Sequence, residues 1–352
     1  MMESKKGLEE EPYVSIIIVN FNGGNILQEC VNSIFQTVKH SFEIILIDNN
    51  SSDNSHLKCK ENFPEIKLIV NNENIGLTAR NLGIEKAKGE FIVFLDSDTV
   101  VTVNWLEILI ESFRENGEGL YQPKLMEKNR PNIINSAGNM INILGMGFSR
   151  GKGEKDEGQY EKFEEISYTS GACTLTSAKV VKKIGSINKI FFSYHDDLDY
   201  GWRGWLQKIP SFYEPKSTVY HLGSPTLKWS GKKFYFLERN RWICLLYLYS
   251  TSTIIKILPI LLFLEIGIFF YFLSKGFGWE KIKSFISVYK LKNEINKNKK
   301  EIQKLKIISD KKIVEHFVNN FEFPLDLIQA SPNITYKIIE LLSKCARKII
   351  KL

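Results

Sequence analysis

Cysteine is scarce and irregularly placed in this chain. The 352 residues contain five cysteines, and no two of them have C-x-x-C spacing. An odd number without metal-ligand spacing excludes a disulfide framework and a zinc site, so we expect reduced thiols in a cytosolic compartment. The first eleven residues are polar and charged and lack the apolar core of a signal peptide. We therefore expect nothing in this segment to direct export.

Positive charge is concentrated in one region. The chain has a formal net charge of +7, and residues 275–312 hold twelve lysines and only four acidic residues. The rest of the chain is close to neutral. A basic segment on a near-neutral body predicts an anionic partner, either a membrane surface or a nucleic acid.

Apolar runs alternate with helical patterns in the first hundred residues. Continuous apolar runs predict strands at 14–19, 42–47, 66–70 and 91–95, and helical spacing predicts helices at 26–35 and 78–87. This alternation is typical of a mostly parallel sheet covered by helices on both faces. Further along, we expect helices at 105–113 and 177–184, an insertion or flexible loop at 126–168, and a short strand at 217–221.

Polar clusters follow the predicted strands. Parallel strands bring such clusters to one edge of the sheet, where ligands of open α/β sheets bind. The most informative cluster is Asp96-Ser97-Asp98, directly after the fourth strand. Carboxylates two residues apart on an extended chain lie on the same side. Together they can hold one hard divalent cation, which in turn can hold a diphosphate.

One long apolar segment lies in the second half. Residues 254–273 contain only Lys256 and Glu265 as charged residues, and Pro259 interrupts the run. Both flanks are basic, which disagrees with a single span under the positive-inside rule. We expect a helix lying in the membrane surface, or a re-entrant hairpin, with both flanks cytoplasmic. A buried helix of a soluble core is the alternative.

Four segments in order along the chain resemble the family 2 glycosyltransferases of the GT-A fold. They are VSIIIVNFN, EIILIDNNSSD, NENIGLTARNLGI and FIVFLDSDT, which begin at residues 14, 43, 72 and 91. The likeness continues at SGA, HDDLDYGWR, VYHLGS and ERNR, which begin at residues 170, 195, 219 and 238. It covers roughly residues 12–245 and is similar to the rhamnosyltransferase and galactofuranosyltransferase branch. The resemblance implies a GT-A, Rossmann-like sheet followed by a C-terminal hydrophobic, membrane-associated helical segment.

The resemblance also implies a role for each matching residue. Asp197 would be the general base, although this chain has Asp196-Asp197 where the family usually has Glu-Asp. Asp96, Asp98 and His221 would hold Mn²⁺ or Mg²⁺. The acceptor and donor loop would contain Gly171, Ala172 and Asp196. The nucleotide-sugar would be bound by Val19, Asn20, Asn22, Asp48, Asn74, Gly76, Arg80 and Asp96.

The function that follows is inverting, metal-dependent transfer of a hexosyl or deoxyhexosyl group. The donor would be a nucleotide-diphosphate sugar, and the acceptor a saccharide or lipid-linked saccharide of surface or glycoprotein glycan assembly. We expect the enzyme at the cytoplasmic face of the cell membrane, bound to an anionic surface and not to nucleic acid.

The predicted regions are a tail at 1–11, a transferase domain at 12–242, a hydrophobic segment at 243–274 and a basic helical region at 275–352. The transferase domain would divide near residue 100 into nucleotide-binding and acceptor halves.

Three alternatives remain open from the residues. A nucleotidyltransferase shares the sheet and carboxylates, but the segment Asn20–Gly24 is uncharged and unsuited to gripping a triphosphate. A non-catalytic nucleotide-sugar-binding protein of the same fold would not need Asp197. A nucleic-acid arm would explain the basic region, but isoleucine and leucine are interspersed there.

Overall fold

The computed structural model describes residues 12–223, 230–322 and 333–352. The predicted tail at 1–11 and Ser224 of the VYHLGS segment lie outside the described residues. The chain begins with the alternation that the sequence predicts. In order, the elements are β1 (Val14–Asn20), α1 (Gly24–Thr37), β2 (Phe42–Asp48), α2 (Ser55–Asn62), β3 (Lys67–Val70), a 3-10 turn (Gly76–Ala79), α3 (Arg80–Lys86) and β4 (Phe91–Asp96).

The middle of the chain is richer in short strands. Its elements are β5 (Thr99–Val101), α4 (Trp105–Asn116), β6 (Leu120–Glu127), β7 (Arg130–Ser136), β8 (Asn139–Ile141), β9 (Gly147–Ser149), β10 (Glu164–Ile166), β11 (Cys173–Ser177), α5 (Ala178–Ile184), α6 (Asp196–Leu206) and β12 (Ser211–His221). The described C-terminal part is helical. It consists of α7 (Gly231–Leu248), α8 (Thr251–Ser274), α9 (Gly278–Lys290), α10 (Lys292–Leu305), α11 (Asp310–Ile313), a 3-10 turn (Val314–His316) and α12 (Asn333–Lys351).

One large sheet organises the molecule. Its strand order is β10-β12-β6-β11-β4-β1-β2-β3, with β5 added to β12 and β7 added to β6. The half made of β4, β1, β2 and β3 is parallel, as predicted. The other half is mixed, because β6 and β12 run parallel while β11 is antiparallel to both of its neighbours. The predicted α/β architecture is confirmed.

The two faces of the sheet are both covered by apolar side chains. Ile16 and Ile18 of β1 belong to the core that includes Leu27 of α1, whereas Ile17 belongs to the core on the opposite face. This alternation follows from the two-residue period of a strand. It explains why β1 is a continuous apolar run, since a strand buried on both faces has no polar side.

The expectation of an insertion or flexible loop at 126–168 is wrong. This segment contains β7 to β10, and Ile134, Ile141 and Ile143 within it are fully buried. The strands are three to seven residues long. Strand β7 pairs with β6 across a short turn, β8 and β9 pair with each other, and β10 pairs with β12. Short strands whose stability depends on such pairing leave little signal in the local sequence.

The predicted strand at 217–221 is longer than expected. Strand β12 begins at Ser211 and reaches His221, with an irregularity between Glu214 and Thr218 where it pairs with β6. The predicted helix at 78–87 begins with the 3-10 turn and continues as α3.

The proposed domain boundary at residue 243 falls inside α7, whose last residues are fully buried in the core beneath α6.

A cluster of four buried charges ties α7 to α8 and α9. Arg241 of α7 contacts Glu238, one turn earlier, and Glu265 of α8. Lys281 of α9 contacts Glu265 and lies 2.9 Å from Glu238. Two cations and two carboxylates therefore neutralise each other out of contact with water. Removing one member of such a cluster leaves an uncompensated buried charge.

We predict that Lys281→Met destabilises the protein by about 3–5 kcal/mol, because Glu238 and Glu265 would then share Arg241 alone. The matched control is Lys290→Met, on the same helix but exposed, which should shift stability by less than about 0.5 kcal/mol. Denaturation midpoints of the purified proteins measure both. Equal stability of the two variants would contradict the buried-cluster interpretation.

Candidate active site

The carboxyl ends of three parallel strands meet at one edge of the sheet. Asn20 of β1 is paired with Asp48 of β2, and Val19 is paired with Asp96 of β4. These predicted residues are therefore brought together by strand register. Adjacent strands lie about 4.8 Å apart, so side chains at paired positions are within reach of one ligand.

Asp96, Asp98 and His221 form a compact group of possible metal ligands. One ligand atom from each lies within 4.8 Å of the others. His221 Nε2 lies 3.2 Å from Asp98 Oδ1 and 3.9 Å from Asp96 Oδ2. The pairing of β12 with β5 places His221 opposite Thr99, which explains how a histidine 123 residues after Asp98 reaches the strand end.

The opposite nitrogen of His221 is also engaged. Its Nδ1 lies 3.1 Å from Asn135 Oδ1, on β7. If Nδ1 donates this hydrogen bond, loss of the proton on Nε2 leaves a lone pair for a cation held between it and the two carboxylates, which is the arrangement of a metal-binding imidazole. Sequence reasoning missed Asn135 because it lies in the segment expected to be a loop.

Asp98 and His221 shift each other's pKa. Burial raises the pKa of Asp98, but the hydrogen bond and charge of His221 outweigh it and the pKa is lowered overall. Burial lowers the pKa of His221, yet its contact with Asp98 leaves that pKa raised. Asp98 is thus held as a carboxylate, the form that binds a cation.

Arg80 connects the strand-end carboxylates to the loop before β11. Its guanidinium is almost fully buried and donates to Asp96 Oδ1 at 2.6 Å and to the Gly171 carbonyl at 2.7 Å. It also lies 3.7 Å from Asp196 Oδ2. The predicted role at the diphosphate side stays a prediction, since the observed contacts of Arg80 are with the protein.

Asp197 is the second residue of helix α6 and is only partly buried. The Leu198 N–H donates to its Oδ1 at 2.8 Å, and the Gly171 N–H donates to Oδ2 at 3.2 Å. Burial raises the pKa of Asp197, and the two backbone donors oppose that effect. Burial also raises the pKa of its neighbour Asp196, and the Asp197 charge adds to the rise. The two backbone N–H donors fix the orientation of the Asp197 carboxylate. Its raised pKa means that this carboxylate can accept a proton.

The loops after β2 and β3 form a polar network. Asn49 Nδ2 donates to Asn74 Oδ1 at 3.1 Å and to the Gly76 carbonyl at 2.8 Å. Asp48 is fully buried, and it accepts from Asn20 Nδ2 at 2.8 Å and from the Ser51 N–H at 2.9 Å. Asp48 therefore orders the loop that follows β2, and its predicted contact with a nucleotide stays a prediction.

Asn22 and Ala172 each accept a hydrogen bond from the backbone of another segment of the site. Asn22 is exposed, adopts a left-handed backbone with φ of 53°, and accepts from the Ser52 N–H at 2.8 Å. The carbonyl of Ala172 accepts from the Asp96 N–H at 3.0 Å. Gly171 and Ala172 thus pass directly beside the end of β4, where the metal-ligand group begins.

Residues 15–185 match the family model Glycosyl transferase family 2. This segment is similar to the family 2 glycosyltransferases, and it makes up slightly less than half of the chain. A glycosyltransferase of Streptococcus pneumoniae, GlyG, is 30% identical over 185 residues, which cover 51% of this chain and 60% of the relative. The Escherichia coli UDP-Glc:alpha-D-GlcNAc-diphosphoundecaprenol beta-1,3-glucosyltransferase WfgD is 34% identical over 105 residues, or 29% of this chain and 42% of the relative. The chain thus spans no more than 60% of the length of these relatives.

The fold is also similar to that of a solved glycosyltransferase. The crystal structure of GalNAc-T7 with UDP, GalNAc and Mn²⁺ aligns with a TM-score of 0.58 and 18% identity, covering 72% of this chain and 51% of that one. At this identity the likeness concerns the fold. Together with the family 2 match, it confirms the predicted GT-A-type α/β architecture.

Helix α7 supports the candidate site from outside the matched segment. Asn240 Nδ2 donates to the carbonyls of Ser193 at 2.8 Å and Tyr194 at 2.7 Å, and Arg239 donates to the Ile190 carbonyl at 3.1 Å. These carbonyls precede Asp196 and Asp197. Sequence reasoning noted the ERNR segment, but nothing in it indicated which backbone groups it would hold.

Gly76 tests how closely the loop after β3 packs against the backbone of Phe192. Its φ is +67°, and an added Cβ would lie 1.8 Å from the Phe192 carbonyl oxygen. Gly24 also has positive φ, at +53°, but its added Cβ would meet nothing within 4 Å. We predict that Gly24→Ala costs about 1 kcal/mol of backbone strain. Gly76→Ala should cost about 1–3 kcal/mol more, because the clash adds to the strain.

The measurement is the denaturation midpoint of each variant, together with its affinity for a nucleoside diphosphate. Only Gly76→Ala should weaken nucleotide binding, since the clash displaces the loop beside Asn74. A Gly76→Ala protein that matches Gly24→Ala in both measurements would show that the contact with Phe192 is not rigid.

Proposed function

We propose that this protein is a glycosyltransferase that moves a sugar from a nucleotide-diphosphate donor to a saccharide or lipid-linked acceptor. One observation carries the proposal. Arg80 links Asp96, in the group of metal ligands, to the Gly171 loop that holds Asp197. A cation-holding group and an oriented carboxylate thus share one site at the carboxyl ends of the sheet, where such folds bind ligands.

The residues present fit a divalent cation. Two carboxylates and an imidazole nitrogen converge, and the far side of the imidazole is held by Asn135. Oxygen and nitrogen donors of this kind suit Mn²⁺, while Mg²⁺ prefers oxygen donors. Asp98 and His221 would hold the ion, with Asp96 beside them. When bound, it would neutralise charge on the diphosphate leaving group. The Mn²⁺ named with GalNAc-T7 supports this part of the proposal.

Asp197 would act on the acceptor. An attacking hydroxyl must lose its proton as the bond to the anomeric carbon forms, and a positioned carboxylate can take that proton. Burial raises the pKa of Asp197, which makes it a stronger base than an exposed aspartate. Its two backbone donors fix the direction of the oxygens. Attack from the face opposite the diphosphate would invert the anomeric configuration, and we propose an inverting enzyme for that reason.

The substrates belong to the proposal as well. The WfgD name includes a UDP-glucose donor and a sugar-diphosphoundecaprenol acceptor. A Staphylococcus aureus relative, 33% identical over 113 residues, is named as a poly(ribitol-phosphate) N-acetylglucosaminyltransferase. These names support a hexosyl donor and an acceptor of surface glycan assembly, while a deoxyhexosyl donor stays a prediction. Membership of the rhamnosyltransferase and galactofuranosyltransferase branch stays a prediction.

We also propose a place at the cytoplasmic face of the membrane. Among the described residues, α8 is one helix that is long and apolar enough to cross a bilayer by length and composition. Lipid-linked acceptors reside in the membrane, so an enzyme that uses them gains from lying on it. The basic residues of 275–312 would favour anionic lipid over a neutral surface.

The decisive variant is Asp197→Asn, which keeps shape and removes the proton acceptor. We expect sugar transfer to fall about 10²–10⁴-fold, while nucleotide-sugar binding is retained. A screen of nucleotide-sugars with a nucleotide-release readout, with Mn²⁺ or Mg²⁺, measures transfer and hydrolysis. The control is Glu65→Gln, an exposed acid on the surface, which should leave turnover unchanged. Binding without turnover that is unaffected by Asp197→Asn would favour the non-catalytic alternative.

Asp98→Asn tests the metal separately. Since Asp98 is the carboxylate nearest to His221, we expect this variant to lose stimulation by Mn²⁺ or Mg²⁺ and to bind the ion more weakly by titration calorimetry. Full metal-stimulated activity would contradict the ligand assignment even if Asp197 proves to be the base.

A further inference from the structure

Helix α9 has its polar and apolar sides reversed relative to a helix of a soluble protein. Lys281 is fully buried against Glu265 and Glu238, and Ser284 on the same side is fully buried. The side that faces away from the protein carries five large apolar side chains and two lysines. The exposed apolar residues are Trp279, Ile282, Phe285, Ile286 and Tyr289, and the exposed lysines are Lys283 and Lys290.

Helix α8 continues this outward apolar surface. Glu265 points into the charge cluster, whereas six large apolar side chains elsewhere on the helix are more than half exposed. They are Ile255, Leu262, Phe263, Ile266, Phe270 and Leu273. Soluble monomers rarely expose a contiguous apolar patch of this size, so the surface formed by the outward faces of α8 and α9 requires an apolar neighbour.

Both ends of α8 are held on the same protein body. At its start, Thr253 Oγ1 donates to Asp310 Oδ2 at 2.5 Å, and the Ser250 N–H donates to the same oxygen at 2.9 Å. At its end, Phe272 packs on Phe234 of α7 with ring centroids 5.0 Å apart. A helix that crossed a bilayer would carry one end away from the domain. The observed contacts instead lay α8 along the domain.

Positive charge borders the apolar surface. Lys275 lies at the turn between the helices, and Lys283 and Lys290 lie on α9 beside the apolar side chains; all three are exposed. An apolar face with aromatic residues and flanking lysines is the pattern of helices that lie in the headgroup region of anionic membranes. A second protein chain would not require this basic border.

We propose that α8 and α9 together form a lipid-facing surface that inserts into one leaflet of an anionic membrane, parallel to its plane, without crossing it. This inference rests on the proposed function and makes its membrane partner specific. The buried cluster of Glu238, Arg241, Glu265 and Lys281 fastens the inserted pair to the domain. The turn between the helices packs against Gly231 at the start of α7. Asn240 of the same helix holds the carbonyls that precede Asp196 and Asp197. Helix α7 would thus connect the inserted pair to the proposed catalytic residues, which would act on a lipid-linked acceptor.

The test is vesicle flotation of the full-length, detergent-purified protein after detergent removal. Vesicles of phosphatidylglycerol and phosphatidylethanolamine are compared with vesicles of phosphatidylcholine. The triple variant Trp279→Ser, Ile282→Ser, Tyr289→Ser should reduce flotation at least about tenfold, since three apolar anchors are lost. The control variant Leu57→Ser, Val103→Ser, Leu305→Ser removes three comparably exposed apolar side chains from other helices and loops. It should float like the unaltered protein.

A second variant tests the charges. Lys275→Gln, Lys283→Gln, Lys290→Gln should weaken flotation with the anionic vesicles and leave flotation with phosphatidylcholine unchanged. Trypsin added outside sealed vesicles should cleave near both ends of α8, at Lys256 and Lys275, because both ends lie on the same side of the bilayer. Protection of one end alone, or full flotation of the α9 triple variant, would overturn the in-plane insertion. Failure of the unaltered protein to float would overturn the lipid partner.

Nucleotide-sugar turnover with Mn²⁺, measured in detergent on the same samples, separates the two proposals. The α9 variants lie outside the site and should retain turnover there. Normal turnover with no vesicle binding would refute the lipid-facing surface alone. Vesicle binding without any turnover by the unaltered protein would instead refute the proposed transferase.

Discussion

The buried guanidinium of Arg80 is the interaction on which the site depends. It is one cation placed among Asp96, Asp196 and the carbonyl of Gly171. Three separate parts of the chain contribute these groups: the end of β4, the start of α6 and the loop before β11. Without the cation, carboxylates in a poorly solvated space would repel one another and take up protons. With Arg80 in place, the possible metal ligand Asp96 and the proposed base Asp197 keep fixed positions relative to each other.

Strand register does the rest of the positioning. The parallel half of the sheet brings Asn20, Asp48 and Asp96 to one edge, and the pairing of β5 with β12 adds His221 from much later in the chain. A second group of buried charges lies between α7, α8 and α9, where Arg241 and Lys281 contact Glu265 and hold α8 and α9 against α7. Asn240, adjacent to Arg241, holds the backbone before Asp196. The helices that we propose to face lipid thus contact α7, and α7 contacts the segment that leads to the proposed base.

The sequence predicted what short-range patterns determine. Continuous apolar runs marked β1 to β4, and the carboxylates at 96 and 98 marked the strand end that meets His221. The strands within 126–168 were missed because three of them have only three residues and all depend on pairing with β6, with β12 or with each other. Asn135 was missed with them. The burial of Arg80 and Asp48 was equally invisible, since the same residue types occur at solvated positions. Which side of α8 and α9 faces outward also follows from tertiary packing, because a buried lysine and an exposed lysine read alike in a sequence.

The most direct test of the central claim is the position of a bound metal. Crystals grown with Mn²⁺ and a nucleoside diphosphate should show one anomalous-difference peak at this edge of the sheet, within coordination distance of Asp98 and His221 Nε2, with the diphosphate on its open side. Asp197 should lie across the sugar position from the diphosphate. A nucleotide bound elsewhere, or bound at this edge with no anomalous peak beside Asp98 and His221, would contradict a metal-assisted transferase site.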